Sequence, residues 1–308
     1  MKLFCKDCDS KKKAMFLLLA AALNVVLDLV FVAKFGMGVP GVALATVISQ
    51  GISAVFCFMK LMKMGEHFDL NRDTVRLEKN MAMRIIRIGV PSGITQAIMS
   101  MSMMVVQSLT NSMGEMIIAA NVIIMRVDGF AMMPNFSFGQ AMSVYSGQNV
   151  GAGKWDRVKK GVMQGSIIAV GFAAVIVVIL LTLNTYLFSI FTDTQALIDL
   201  ASQMMNIMAV GYIAMSITQV LGGVMRGCGD TVTPMWISII STVVLRIPIA
   251  YALAAFTRSE AWPHGHPFSL SASLLVSWTM GMVMSVVAYR WGKTRKMIHK
   301  EMEEQKGA

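Results

Sequence analysis

Eight long apolar runs separated by short polar turns fill most of this chain. About 20 apolar residues cross the hydrocarbon of a bilayer as a helix. The runs therefore predict spanning helices over 14–35, 39–62, 85–112, 117–145, 161–191, 197–225, 234–256 and 268–289. The longest polar interruption, 64–84, carries both signs of charge and a weakly amphipathic stretch, the pattern of a cytoplasmic linker with interfacial character. It divides the chain into 1–63, with two helices, and 85–308, with six helices and a basic tail. The first run is too long for a secretory signal core and contains Asp28, so it reads as a span.

Composition agrees with that pattern. A chain of 308 residues that is 56% hydrophobic and only 14% charged, against about 25% charged in soluble domains, has too much apolar surface for a water-soluble core. The expected class is an all-α polytopic membrane protein. A net charge of +10 would suggest nucleic acid in a soluble protein. Here no basic stripe is interleaved with aromatics, and nucleic-acid binding is not expected. The basic residues instead alternate between loops. One side collects Lys2, Lys60, Arg72, Arg87, Lys154, Lys160, Arg226, Arg290 and Lys296, whereas the other holds only Lys34 and Arg258. By the positive-inside rule both termini face the cytoplasm, in a cytoplasmic (inner) membrane.

Candidate chemistry starts with Asn24 and Asp28, four residues apart and so on one face of the first helix. The short turn 35–38 returns the chain as an antiparallel helix and brings Thr46 to a comparable depth. A carboxylate inside the membrane costs about 2.5–3.5 kcal/mol on insertion scales, so it persists where it binds an ion, carries a proton or finds a partner. The three residues form a candidate cation or proton site; the plainer alternative is a hydrogen bond that packs two helices. Cys5, Cys8, Cys57 and Cys228 build no disulfide framework, and the single Cys5/Cys8 CxxC has no second ligand pair at zinc spacing. No metal centre or cofactor is expected.

An internal echo comes next. Cys8, Asp9 and Ser10 before one helix are matched by Cys228, Gly229, Asp230 and Thr231 before another, and each introduces the last two helices of its part. Repeats of this kind build many secondary transporters, with the site between them. Since the first part has two helices and the second six, the symmetry leads us to expect about four further helices upstream.

The run Asn149, Val150, Gly151, Ala152, Gly153, Lys154, preceded by Pro134, Gly139, Gln140, Gly147 and Gln148, together with Arg226, Gly227, Gly229, Asp230, Thr231 and Pro234, resembles the multidrug and toxic compound extrusion (MATE) transporters. The likeness covers nearly the whole chain. It implies helices five to twelve of a twelve-helix, two-lobed antiporter, with 1–63 closing an incomplete N-terminal lobe and 85–308 forming the C-terminal lobe. Asn24, Asp28 and Thr46 coincide with cation-site residues of the family's DinF-like branch. In the NorM-like branch acidic residues on helices seven and ten serve the cation, but here those helices offer Gln96, Met99 and Gln219. The resemblance thus implies an N-terminally truncated, sodium- or proton-coupled exporter of amphipathic, cationic small molecules, working in a lipid bilayer and monomeric when complete.

Other intramembrane polar residues complete the candidates for a substrate cavity: Gln96, Met99, Arg126, Asp128, Gln219 and Arg246. Arg126 and Asp128 are two apart and so point to different sides of one helix. Arg246 is expected either to neutralise a carboxylate or to touch substrate. Gly129 and Pro134, with Gly89, Pro91 and Gly93, are expected to bend their helices. Thirty methionines, clustered at 99–104 and 132–133, would give pliable walls, although lipid-facing packing explains them as simply. An enzyme is disfavoured: His67, His264, His266 and His299 all lie in loops or tails, leaving no intramembrane dyad. A lipid-linked oligosaccharide flippase of related architecture, or an inactive fragment, stays open.

Overall fold

The computed structural model describes residues 10–63, 78–260 and 262–292, with 294, 295, 297 and 303 beyond them. Every apolar run is helical. The helices are α1 (Ser10–Asp28), continued by a π-helical segment Leu29–Lys34, α2 (Gly38–Lys63), α3 (Lys79–Ser112), α4 (Glu115–Gly151), α5 (Trp155–Ser189), α6 (Gln195–Ala209), α7 (Gly211–Gly227), α8 (Val232–Ile239), a second π-helical segment Ile240–Leu245, α9 (Arg246–Phe256) and α10 (Phe268–Trp291). Among the described residues the only extended pairing is one bridge between Ser259 and Trp262. Among the described residues six stretches are long and apolar enough to cross a membrane singly. The pair α6 and α7, bent by 45°, makes a seventh. The Cys5/Cys8 motif, Asp9, His67, His299 and the linker 64–77 lie outside the described residues.

Two compact units emerge, 1–82 and 83–308. In the first, α1 with its π continuation lies antiparallel to α2. The approach is close at Gly41, where an added Cβ would stand 3.1 Å from the Phe31 Cβ, and at Ala45, which is fully buried.

In the second unit α4 and α7 share the most extensive interface, and small residues create it. A Cβ built on Gly223 would lie 2.2 Å from the Gly139 carbonyl oxygen, and one on Gly227 would lie 2.4 Å from that of Ser143. Backbone contact of this kind is how membrane helices gain dispersion energy where lipid is as apolar as leucine. The motif glycines also reverse the chain. Gly153, at φ +67°, lets Lys154 N–H reach the Asn149 carbonyl at 2.8 Å; Gly229, at φ +88°, lets Asp230 N–H reach that of Met225 at 2.9 Å. Both are left-handed closures of a helix C-terminus. Asp230 then caps α8 with its carboxylate, accepting from Thr233 N–H at 3.1 Å and Thr233 O–H at 2.7 Å.

The helices are interrupted away from the prolines. α3 and α4 run unbroken through Pro91 and Pro134, and Thr95 O–H donates to the Pro91 carbonyl at 2.9 Å. The interruptions come instead at the two π-helical segments and at Val210–Gly211. Gly211 is required there because the Trp278 ring lies where its Cβ would be, at 2.6 Å. α3, α4 and α5 hold 34, 37 and 35 residues, roughly 50 Å each at 1.5 Å per residue. They therefore extend past the ~30 Å hydrocarbon, and several polar residues assigned to loops belong to helix ends.

Cys228 lies buried in the cluster of Trp155, Val158, Val224 and Met225 beyond the end of α7. Burial, with the Asp230 carboxylate adding to it, pushes its thiol up to about 11. With Cys5, Cys8 and Cys57 replaced by serine, a maleimide at pH 7.5 should label Cys228 about a hundredfold more slowly than a free thiol, since the thiolate is the nucleophile. Labelling at the free-thiol rate in the folded protein would contradict this packing.

Candidate functional site

The first unit brings two of the three polar residues read from the sequence into contact. Asn24 Nδ2 donates to Thr46 Oγ1 at 3.4 Å, and Thr46 Oγ1 donates to the Val42 carbonyl at 2.9 Å. Asp28 Oδ1 is buried without a hydrogen-bond partner. It stands at the last α-helical residue before the π segment, where the backbone widens by one residue. One helical turn separates Asp28 from Asn24, and carboxylate, hydroxyl and amide oxygens are the hard donors that hold a small cation. Sequence reasoning missed the fully shielded Ser49 one turn beyond Thr46, whose hydroxyl donates to the Ala45 carbonyl at 2.8 Å.

The second unit encloses a cavity of about 380 Å³ between α3, α4, α6, α7, α9 and α10. Seven of the residues lining it are methionines, at positions 99, 103, 125, 132, 204, 208 and 215. Phe136 and Trp278 add aromatic faces. Asp128 and Arg246 bring opposite charges into the same wall, within electrostatic reach of each other. Asp128 accepts a 2.5 Å hydrogen bond from the Tyr212 hydroxyl. Tyr212 is fully buried and tilted against Trp278, with ring centroids 5.4 Å apart. Arg246 begins α9 directly after the second π segment, and its Nε has no hydrogen-bond partner. In both units, then, the helix carrying the central charge switches to π geometry beside it.

Of the six cavity candidates, Met99, Asp128 and Arg246 line this space, whereas Gln96, Arg126 and Gln219 are not among its lining residues. Gln96 and Arg126 are exposed. Gln219 is half-buried in the seam of α4 and α7, against Gly139. Tyr212 and Trp278 were overlooked, yet both are polar-tipped aromatics in the middle of an apolar run, a position that demands a partner at depth. His266 Nδ1 accepts from Phe268 N–H at 3.2 Å and so helps open α10.

Bent and π-interrupted helices around a largely apolar cavity that carries two opposite charges define a helical membrane protein. Residues 91–252 match the MatE family model, which is more than half of the chain, and the protein belongs to that family. It is similar to the probable multidrug resistance protein YoeA of Bacillus subtilis, 27% identical over 87% of this chain and 60% of that one. It is also similar to multidrug and toxin extrusion protein 1 of Homo sapiens, 26% identical over 76% of this chain and 41% of that one. A crystal structure of MATE in the straight conformation superposes with a TM-score of 0.82 at 20% identity, over 96% of this chain and 64% of that one. An outward-facing multidrug resistance MATE family transporter superposes at 0.80 with 19% identity, over 94% and 62%. The chain thus spans about 60% of the length of the first curated relatives it matches.

Proposed function

We propose that this chain serves cation-coupled export of amphipathic, cationic small molecules from the cytoplasm, with its basic loops on the cytoplasmic side of the cytoplasmic membrane. The observation that carries the reading is Asp128, held by Tyr212 in a cavity lined by seven methionines. Thioethers are polarizable and flexible, so such a wall adapts to ligands of different outline. A carboxylate has lone pairs beyond the one that Tyr212 occupies and can anchor a charged amine. Arg246 balances Asp128 while the cavity is without a ligand, which makes a cation able to exchange with it the favoured guest.

Asn24, Asp28 and Thr46 then form the coupling site, as in the DinF-like branch. Protons and sodium compete for one carboxylate, and either can bias an alternation between states that differ in affinity for it.

The test is saturation of fluorescent-cation efflux from proteoliposomes under an imposed sodium or proton gradient. A charge-assisted contact is worth about 1.5–3 kcal/mol, so Asp128→Asn should raise the half-saturating concentration roughly ten- to hundredfold. Gly129→Phe, placed where an added Cβ meets nothing and on the cavity wall, should abolish saturable transport. Unchanged saturation in both variants, or transport of a lipid-linked anion instead, would overturn the proposal.

A further inference from the structure

A second concavity, unrelated to the methionine-lined one, runs down the outside of α5 and α10 with α7 at its floor. Its rim is basic: Lys159 and Lys160 from the start of α5, and Arg290 and Arg295 from the end of α10 and just beyond it. One carboxylate, Asp156, offsets part of this charge. Trp291 and Tyr289 stand at the same level, where amphipathic aromatics mark the membrane–water boundary. Below the rim the chemistry changes completely. The walls are Met163, Ile167, Val170, Gly171, Ile217, Leu221 and Val286, with Ser166 the only polar side chain among them.

Depth decides what fits. From Lys160 to Gly171 the groove follows α5 for about 16 Å at 1.5 Å per residue. That is half of the ~30 Å hydrocarbon, the thickness of one leaflet. Met163 and Ile167 are each 64% exposed along it. Four cations over an apolar slot one leaflet deep complement a molecule with an anionic head and a long hydrocarbon chain. A free phosphate would satisfy the rim and leave the slot bare. A neutral lipid would fill the slot and bring no anion to the basic rim.

We propose that this groove is a site for an anionic phospholipid of the bilayer leaflet on the basic side, its phosphate between Lys159, Lys160, Arg290 and Arg295 and one acyl chain along α5 toward Gly171. Basic pockets between spanning helices bind such head groups, and each nearby cation strengthens the attraction about fivefold.

Native mass spectrometry of the full protein, released from detergent with equal phosphatidylglycerol and phosphatidylcholine, should show phosphatidylglycerol retained at least about tenfold in excess. Lys159→Gln, Lys160→Gln, Arg290→Gln and Arg295→Gln combined should abolish the preference, while Lys154→Gln with Arg157→Gln should leave it intact. Gly171→Phe leaves every charge in place and fills the slot at a position where an added Cβ meets nothing. It should reduce retention about tenfold even if the fourfold variant fails to fold. Equal retention of phosphatidylcholine, displacement of the lipid by millimolar glycerol 3-phosphate, or a dimer that covers the groove would each overturn the assignment.

Discussion

Gly223→Leu is expected to stop the second unit from assembling. The new Cβ would fall 2.2 Å from the Gly139 carbonyl oxygen and 3.1 Å from its carbon, both backbone atoms. Where overpacking meets side chains, they shift at a cost of ~1–3 kcal/mol. Backbone can yield only if α4 and α7 separate along the seam that Gly139, Gly223 and Gly227 form, so the loss should exceed ~4 kcal/mol. Gly171→Leu is the matched control, because its Cβ meets nothing. Size-exclusion profiles and thermal unfolding in detergent should show aggregation for Gly223→Leu and near-native behaviour for Gly171→Leu. An unchanged unfolding temperature in Gly223→Leu would mean that the seam is not where it is described.

On the coupling role proposed for Asp28, Asp28→Asn is expected to abolish gradient-driven export without unfolding the chain. Asparagine keeps the size of the side chain and an acceptor at Oδ1, the atom that is buried without a partner. What it loses is the charge. With no site that sodium or a proton can occupy differently in two states, a gradient can no longer bias the alternation. Gradient-driven efflux in proteoliposomes should fall by about a hundredfold or more, to the passive leak, while binding of the transported cation persists. Asn24→Ala and Thr46→Ala should cause milder losses, because each removes one end of a 3.4 Å hydrogen bond and leaves the carboxylate. Efflux undiminished in Asp28→Asn would place coupling elsewhere, with Asp128 the next residue to change.

The helices were legible because a bilayer demands long apolar runs, and the family was legible because its glycines and asparagines cluster at helix ends. The proximity of Asn24 and Thr46 could be read as well, since it depends only on one turn of helix and one short hairpin. Three features were not legible, each for a physical reason. The partnership of Tyr212 with Asp128 spans 84 residues of sequence, and periodicity says which face a residue occupies without saying which helix faces it. Arg126 and Gln96 are not among the residues lining the methionine-walled cavity, because a polar inventory does not say which face of its helix a residue takes. The helix interruptions fall at two π segments and at the 45° break before Gly211, where no sequence signal as strong as proline exists.

The methionine wall has a chemical side as well as a mechanical one. Each thioether takes up one oxygen from a peroxide and becomes a sulfoxide, a polar and chiral group that returns to methionine only through a dedicated reductase. Seven such sulfurs face one space of about 380 Å³, so an oxidant that reaches the cavity converts it stepwise from an apolar to a polar surface. Leucines in the same places would be inert, and they would also be stiffer. The adaptability of this pocket is therefore inseparable from a dependence of its polarity on the oxidants that reach it.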